Sequence, residues 1–361
     1  MRDRQAPHDG PGDGDGARRP RLEVRVGPLR LKNPVVTAAG TFGYGREAAA
    51  FYDLGVLGAV TVKGLSLEPW PGNPPPRAVE TPAGMLNAIG LQNPGVDHFV
   101  HNDLPWLRRF DVPVIANVVG KTEAEYVEVA RRLDAAGVDA LELNVSCPNV
   151  KAGGLEFGSD PAVAASLVRA VRRVTQRPLL VKLSPEAGDL PALAAAVLEA
   201  GADALSLINT VRGAAIDVEG ERPALATVMG GLSGPAIRPV AVRCIWEVYR
   251  RLRAPILGMG GVASGRDAAE LMLAGAAAVA VGTAALVDPR APVRVLDELA
   301  AILAAKGIGA AELTGRAHRR EEPGGTAPSG PAGAAAGGRA GAAAPAGERS
   351  PLTGCSWRDG G

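Results

Sequence analysis

Five successive apolar runs of this 361-residue chain end in or just before a residue that can hydrogen-bond or carry charge: Lys63, Asn117, Asn144, Lys182 and the pair Asn209-Thr210. A lone polar residue at a strand end is ordinarily solvated by the following loop. Five in succession, each inside or just past an apolar segment where an unpaired polar group costs several kcal/mol, read instead as one convergent polar site. Cys147 follows the fourth run in LNVSCPNVKAGG (143–154). Pro148 ends the strand and a Gly-containing loop follows, so the thiol belongs on the same face as the strand ends. A nearby Lys63 or Lys182 favours its thiolate, which leaves two roles open, nucleophile or proton-abstracting base. Cys244, inside an amphipathic helical segment, reads as packing. The four histidines (8, 98, 101 and 318) fall in tails or a long loop, and no His/Asp/Glu cluster has metal-ligand spacing.

Glycines mark a second chemistry. GMGG (258–261) and VGTA (281–284) close the seventh and eighth runs. Glycine lets backbone N–H groups approach an anion, and a following helix N-terminus adds a favourable dipole, so Gly260-Gly261 and Gly282-Thr283 suit a phosphate. The plainer alternative is a tight strand–helix turn that needs positive φ. GYGREA (43–48) imitates a dinucleotide fingerprint. The strand after it ends in Lys63 instead of the acid that would hold a ribose, so no NAD site is expected there.

Eight short aliphatic runs must position these groups: 34–39, 59–63, 113–118, 140–145, 179–183, 204–209, 255–260 and 278–282. Their near-continuous hydrophobicity suits strands covered on both faces. Amphipathic segments at 122–136, 160–176, 189–200, 235–253, 265–274 and 291–305 separate most of them, several opening on signals such as Asp160-Pro161. The alternation predicts an α/β fold, a (β/α)8 TIM barrel, with a doubly wound sheet as its competitor. Two connections, 64–111 and 210–234, are too long for bare barrel loops and are expected to build the active-site face. LEVRVGPLRLKNP (22–34) alternates around Gly27-Pro28 and predicts a hairpin ahead of the barrel. The apolar run 271–287 contains Gly275 and Gly282 and changes from helical to strand composition, which argues against a membrane span.

Composition sets the outer limits. From Pro323 to Gly347, 22 of 25 residues are Gly, Ala or Pro, material that cannot build a core. Residues 1–20 carry four Arg and four Asp with no apolar stretch, hence no signal peptide is expected. The expected organisation is a disordered extension at 1–21, one barrel domain at 22–310 and a disordered tail at 311–361. Thirty-nine basic and 38 acidic residues give a net charge of +1, and aromatics are 4%, so there is no electrostatic footprint for nucleic acid. Three cysteines with no paired spacing fit a reducing cytoplasm and are too few for a four-cysteine iron–sulfur site within the chain.

Taken together and in order, LNVSCPNVKAGG, NAIGLQNPG (87–95), KLSP (182–185), INT (208–210), GGLSGPA (230–236) and GMGG resemble the catalytic subunit of class 1B dihydroorotate dehydrogenases. The resemblance covers roughly residues 22 to 305. NVKAGGLEFG (149–158) and GNPPPRAVET (72–81) favour class 1B over the fumarate-using class 1A. It implies an FMN-containing barrel that oxidises (S)-dihydroorotate to orotate in pyrimidine synthesis. FMN would place its phosphate on Gly260-Gly261 and Gly282-Thr283 with Gly234 nearby. Its ring would contact Ala39, Lys63, Gly64, Asn117, Asn144, Lys182 and Ile208. Lys63, Asn87, Ala88, Ile89, Gly90, Leu91, Asn144, Asn209 and Thr210 would hold the substrate, with Asn149 a further contact. Asparagine suits a cyclic imide because it both donates and accepts. Cys147 would take the C5 proton, and Lys182 would stabilise the anionic flavin.

The chain departs from the pattern of the family it resembles at Ala39, where members often carry Ser, at Gly64, where a member carries Ala, and in its two terminal extensions, which match nothing in the family. NAD-linked class 1B also implies a partner subunit with FAD and a [2Fe-2S] cluster, in a heterotetramer built on a catalytic homodimer. Two other classes are weighed against this reading. In a lyase or aldolase barrel, Lys63 or Lys182 would form a Schiff base with a phosphorylated substrate. A non-catalytic binding barrel would have no use for Cys147 and both lysines. Among flavin barrels, the pyrimidine-reducing domain of a larger dehydrogenase is the nearest alternative.

Overall fold

Strands that are apolar on both faces must be covered on both, and closing them into a ring removes the edges. The computed structural model describes residues 20–145, 151–152, 155–156 and 160–320. It contains eight parallel strands: β1 (Val35–Thr37), β2 (Val60–Thr61), β3 (Val114–Val118), β4 (Ala140–Asn144), β5 (Leu179–Leu183), β6 (Ala204–Leu207), β7 (Ile256–Met259) and β8 (Ala278–Val281). Their order is β1-β8-β7-β6-β5-β4-β3-β2, and a parallel bridge between Val36 and Ala59 closes the ring. Each of the eight runs read from the sequence contains one strand, and the fold is the expected (β/α)8 barrel.

The helices outside it are α1 (Glu123–Ala136), α2 (Pro161–Arg172), α3 (Leu190–Glu199), α4 (Arg238–Leu252), α5 (Gly265–Ala274) and α6 (Ala291–Lys306). Their starts are chemically fixed. Thr122 accepts from the Glu125 amide, Asp160 from those of Ala162 and Val163, Asp189 from Ala192 and Ser264 from Asp267. On α2, Ala164, Leu167, Val168 and Val171 recur at helical spacing and are buried against the sheet.

The two ends of the barrel differ. The expected hairpin, Val24–Val26 with Leu29–Leu31, turns at Gly27 (φ 59°), where a Cβ would meet the Asp203 carbonyl, just ahead of β6, at 2.8 Å. That places it under the amino-terminal end. At the opposite end the two long connections meet. Ala78–Thr81 and Gly84–Asn87 from the first join Val211–Ala214 and Met229–Ser233 from the second in a four-stranded antiparallel sheet. The first connection also holds a helical stretch, residues 96–107, that the Pro- and Asn-rich composition concealed; Val96, Phe99, Leu104 and Leu107 are buried there. The run 271–287 divides into the end of α5, strand β8 and one turn at Ala284–Val287. Among the described residues no helix is long and apolar enough to cross a membrane.

The carboxyl-terminal boundary needs correction. The folded region continues past 310 through Ala310–Leu313 and a turn at Arg316–Arg320. His318 is buried and stacks on Trp246 at 3.6 Å, so it is part of the packed base and not of a tail.

Candidate functional site

The carboxyl ends of the strands and the antiparallel sheet above them enclose a cavity of about 1110 Å³. Its floor follows from the strand register. Lys182 on β5 is paired with Asn144 on β4 and with Ser206 on β6, and Asn117 on β3 is paired with Glu142 on β4. Since side chains alternate along a strand, all five share the inner face. Asn117, Asn144 and Lys182 line the cavity and are 1%, 7% and 6% exposed. The Lys182 ammonium makes no hydrogen bond or ion pair with any described residue. A cation so deeply buried requires an electron-rich partner in the cavity.

The rim is assembled from loops. Lys63 and Gly64 follow β2, and Ile208, Asn209 and Thr210 follow β6; all five line the cavity. Backbone bonds fix the second loop, the Ile208 amide donating to the Met259 carbonyl at 2.9 Å and that of Asn209 to Leu183 at 3.0 Å. From above, Asn87 in the antiparallel sheet, paired with Gly231, brings Ala88, Ile89, Gly90 and Leu91 over the opening. Asn73 steadies that loop by donating from Nδ2 to the Ala88 carbonyl at 2.9 Å and from its amide to Ile89 at 3.0 Å.

The glycine cradle follows β7 and β8. Gly234, Gly260 and Gly261 have φ of 92°, 118° and 79°, and a Cβ on Gly261 would meet the Arg238 backbone at 2.8 Å. Both requirements, positive φ and close approach, hold here. Arg238 pairs with Asp267, which also accepts from the Ala263 amide at 3.1 Å and ties the loop to α5. Gly282 and Thr283 complete the cradle, with Thr283 Oγ1 donating to Ser233 Oγ at 2.8 Å. The helix beyond them, Ala284–Val287, is one turn long. The dipole expected there is therefore slight, and only amide and hydroxyl donors remain.

Every candidate named from the sequence within the described residues, Ala39 included, borders this one cavity. Cys147 and Asn149 lie outside the described residues. Several contributors were not foreseen. Glu142 lies fully buried between Asn117 and Ser206, although a charged residue midway through an apolar strand was a readable signal. Tyr126 on α1 donates to the Asn144 carbonyl at 2.8 Å. Tyr44 also borders the cavity, and burial, with help from the Asp103 charge, pushes its phenol well above the ordinary range. Burial likewise raises the Cys244 thiol, in keeping with a packing role. Among the described residues no group of three or more His, Cys, Asp or Glu could hold a metal ion.

A buried cation on β5, asparagines on β3 and β4 and a glycine cradle after β7 and β8, all lining one cavity, suit a planar, electron-rich ring joined to a phosphate. Comparison with known proteins leads to the same place. The family model for dihydroorotate dehydrogenase matches residues 21–303. A protein of Desulforudis audaxviator, named dihydroorotate dehydrogenase B (NAD(+)), catalytic subunit, is 55% identical over 298 residues, 82% of this chain and 97% of that protein. Proteins of the same name from Geobacter sp. (strain M21) and Anoxybacillus flavithermus are 55% and 54% identical, covering 80% and 82% of this chain and 95% and 96% of theirs. The chain belongs to the dihydroorotate dehydrogenase family.

Proposed function

We propose that this chain is the catalytic subunit of an NAD-linked, class 1B dihydroorotate dehydrogenase, which oxidises (S)-dihydroorotate to orotate in pyrimidine biosynthesis. The observation that carries the reading is Lys182, a cation 6% exposed and without a described partner on the cavity floor. The residues present fit FMN. Gly234, Gly260, Gly261, Gly282 and Thr283 offer backbone and hydroxyl donors to its phosphate, and Ala39, Gly64, Asn117, Asn144, Lys182 and Ile208 border the space for its ring. When bound, FMN supplies the two-electron acceptor for the substrate's C6 hydride.

The chain's own residues do the remainder. Lys63 holds the substrate carboxylate by charge, while Asn87, Asn144, Asn209 and Thr210 pair with the ring amides and fix which face is presented. Ala88 to Leu91 cover the ring and exclude water, with Asn149 as an additional contact. Cys147 removes the C5 proton as general base. Lys182 places positive charge where the flavin ring gains electrons. A partner subunit holding FAD and a [2Fe-2S] cluster would supply the route for electrons to NAD+, the catalytic chain being a homodimer within a cytoplasmic heterotetramer.

Anaerobic titration of the purified full-length chain with dihydroorotate tests the reading. A yellow protein whose flavin absorbance bleaches on addition of substrate is the expected result. Reoxidation by NAD+ should require co-purifying partner, and fumarate should not replace it. A colourless protein that takes up no flavin would restore the Schiff-base alternative.

A further inference from the structure

Glu142 is an ionisable side chain that the roles above leave unused, and it is fully buried at the centre of the barrel. It occupies the inward position two residues before Asn144, one layer below the row formed by Asn144, Lys182 and Ser206. Asn117 Nδ2 donates to Glu142 Oε1 at 2.6 Å, and Ser206 Oγ donates to Glu142 Oε2 at 2.5 Å. Both carboxylate oxygens accept, which is the bonding pattern of the ionised form. This carboxylate decides which way the Asn117 amide faces. Because the carboxylate only accepts, Nδ2 must turn down towards it, leaving Oδ1 beside Gly64, where a Cβ would lie 3.0 Å away.

We infer that Glu142 is a positioning residue for the flavin ring: it locks Asn117 as an acceptor on the cavity floor and places a buried negative charge beneath it. The inference rests on the reading of the cavity as an FMN site. A glutamine at 142 could donate as well as accept, so it would release the Asn117 amide to either orientation and remove the anion beneath the ring. Loss of that anion makes an electron-rich ring more favourable.

The test uses the full-length chain stripped of flavin and titrated with FMN, followed by equilibrium redox titration of the reloaded protein. Relative to wild type, Glu142→Gln is expected to weaken FMN binding about tenfold and to move the midpoint potential upward. Ser206→Ala keeps the charge but removes one of the two hydrogen bonds, so its expected loss of affinity is smaller, about threefold. Folded Glu142→Gln with wild-type affinity and potential would overturn the assignment, even if its melting temperature fell, since a merely structural carboxylate would alter stability alone. Should Glu142→Gln fail to fold, an unchanged FMN affinity in Ser206→Ala would overturn it instead. A wild-type chain that takes up no FMN would defeat the cavity reading itself, and that failure is seen before any substitution is made.

Discussion

Lys182 and Cys147 are assigned different tasks, and single substitutions should separate them. Lys182→Met keeps length and apolar bulk while removing the charge from a floor position that is 6% exposed. It should both weaken flavin retention and slow reduction by dihydroorotate, by about 10² to 10³ for loss of one preorganised electrostatic group. Cys147→Ala should retain flavin at wild-type affinity and lose only the reduction step near neutral pH, because a general base does not hold the cofactor. Wild-type reduction rates in stopped-flow traces of Cys147→Ala would defeat its assignment as base. A third residue bears on pH. Tyr52 has a buried hydroxyl with no hydrogen-bond partner among the described residues, and burial raises its phenol to about 12. A folded value above the unfolded one of about 10 means the fold tolerates the phenol only when neutral: stability is held in full below pH 10 and falls as pH rises through about 12. Tyr52→Phe should therefore be neutral or stabilising by up to about 1 kcal/mol at pH 7 and should flatten the alkaline fall in denaturation midpoint. At this scale the sequence displayed the polar strand ends, because each broke an apolar run. It did not display Tyr126 or Ser233, whose roles come from residues 18 and 50 positions away.

Elements carry the site by register, and their joints have little tolerance. Gly275 ends α5 and turns the chain into β8 with φ 131°, its amide donating to the Met272 carbonyl at 3.0 Å. A Cβ there would run into the Tyr249 ring on α4. Gly275→Ala should cost about 3 kcal/mol or more from strain and overlap combined, read as a drop in urea midpoint. Near wild-type stability would mean that α4 can shift away. The same joint explains what was legible. Strands and helices were readable because short, near-continuous apolar runs alternate with runs of period 3.6, and glycines such as Gly275 punctuate them. The four-stranded sheet over the cavity was not readable. Its strands are half-exposed, rich in glycine, and paired between residues such as Leu86 and Leu232, so no local pattern announces the partner. Only the excess length of the two connections hinted that they shared a task. The helical stretch at 96–107 was missed for a related reason: Pro94 and Pro105 stand beside its apolar positions and favour a loop reading.

In the whole molecule the chemistry and the closure of the barrel occupy opposite ends, and the carboxyl-terminal segment belongs to closure. The Ala310 amide donates to the Arg21 carbonyl at 2.8 Å, joining this segment to the chain just before the hairpin that covers the barrel base. The Gly315 amide donates to the Met272 carbonyl at 2.8 Å and Thr314 Oγ1 to that of Ala276 at 3.1 Å, satisfying groups at the end of α5. Leu313 is fully buried, and His318 bonds the Ala274 carbonyl through Nε2 at 2.9 Å while stacking on Trp246 of α4. Removing these contacts exposes apolar surface and takes the side-chain partners from the Ala274 and Ala276 carbonyls, yet touches none of the groups that line the cavity. A chain ended after Gly309 should therefore lose about 3 kcal/mol or more of stability while its folded fraction keeps wild-type flavin affinity. A chain ended after Arg320 should match the full-length protein in both, because what it lacks is the Gly-, Ala- and Pro-rich stretch with little apolar bulk to bury. Thermal melts paired with flavin titrations distinguish the two. Equal melting temperatures for both truncations would show that the base closes without residues 310–320, and a fall in flavin affinity on the shorter chain would show that the two ends of the barrel are coupled.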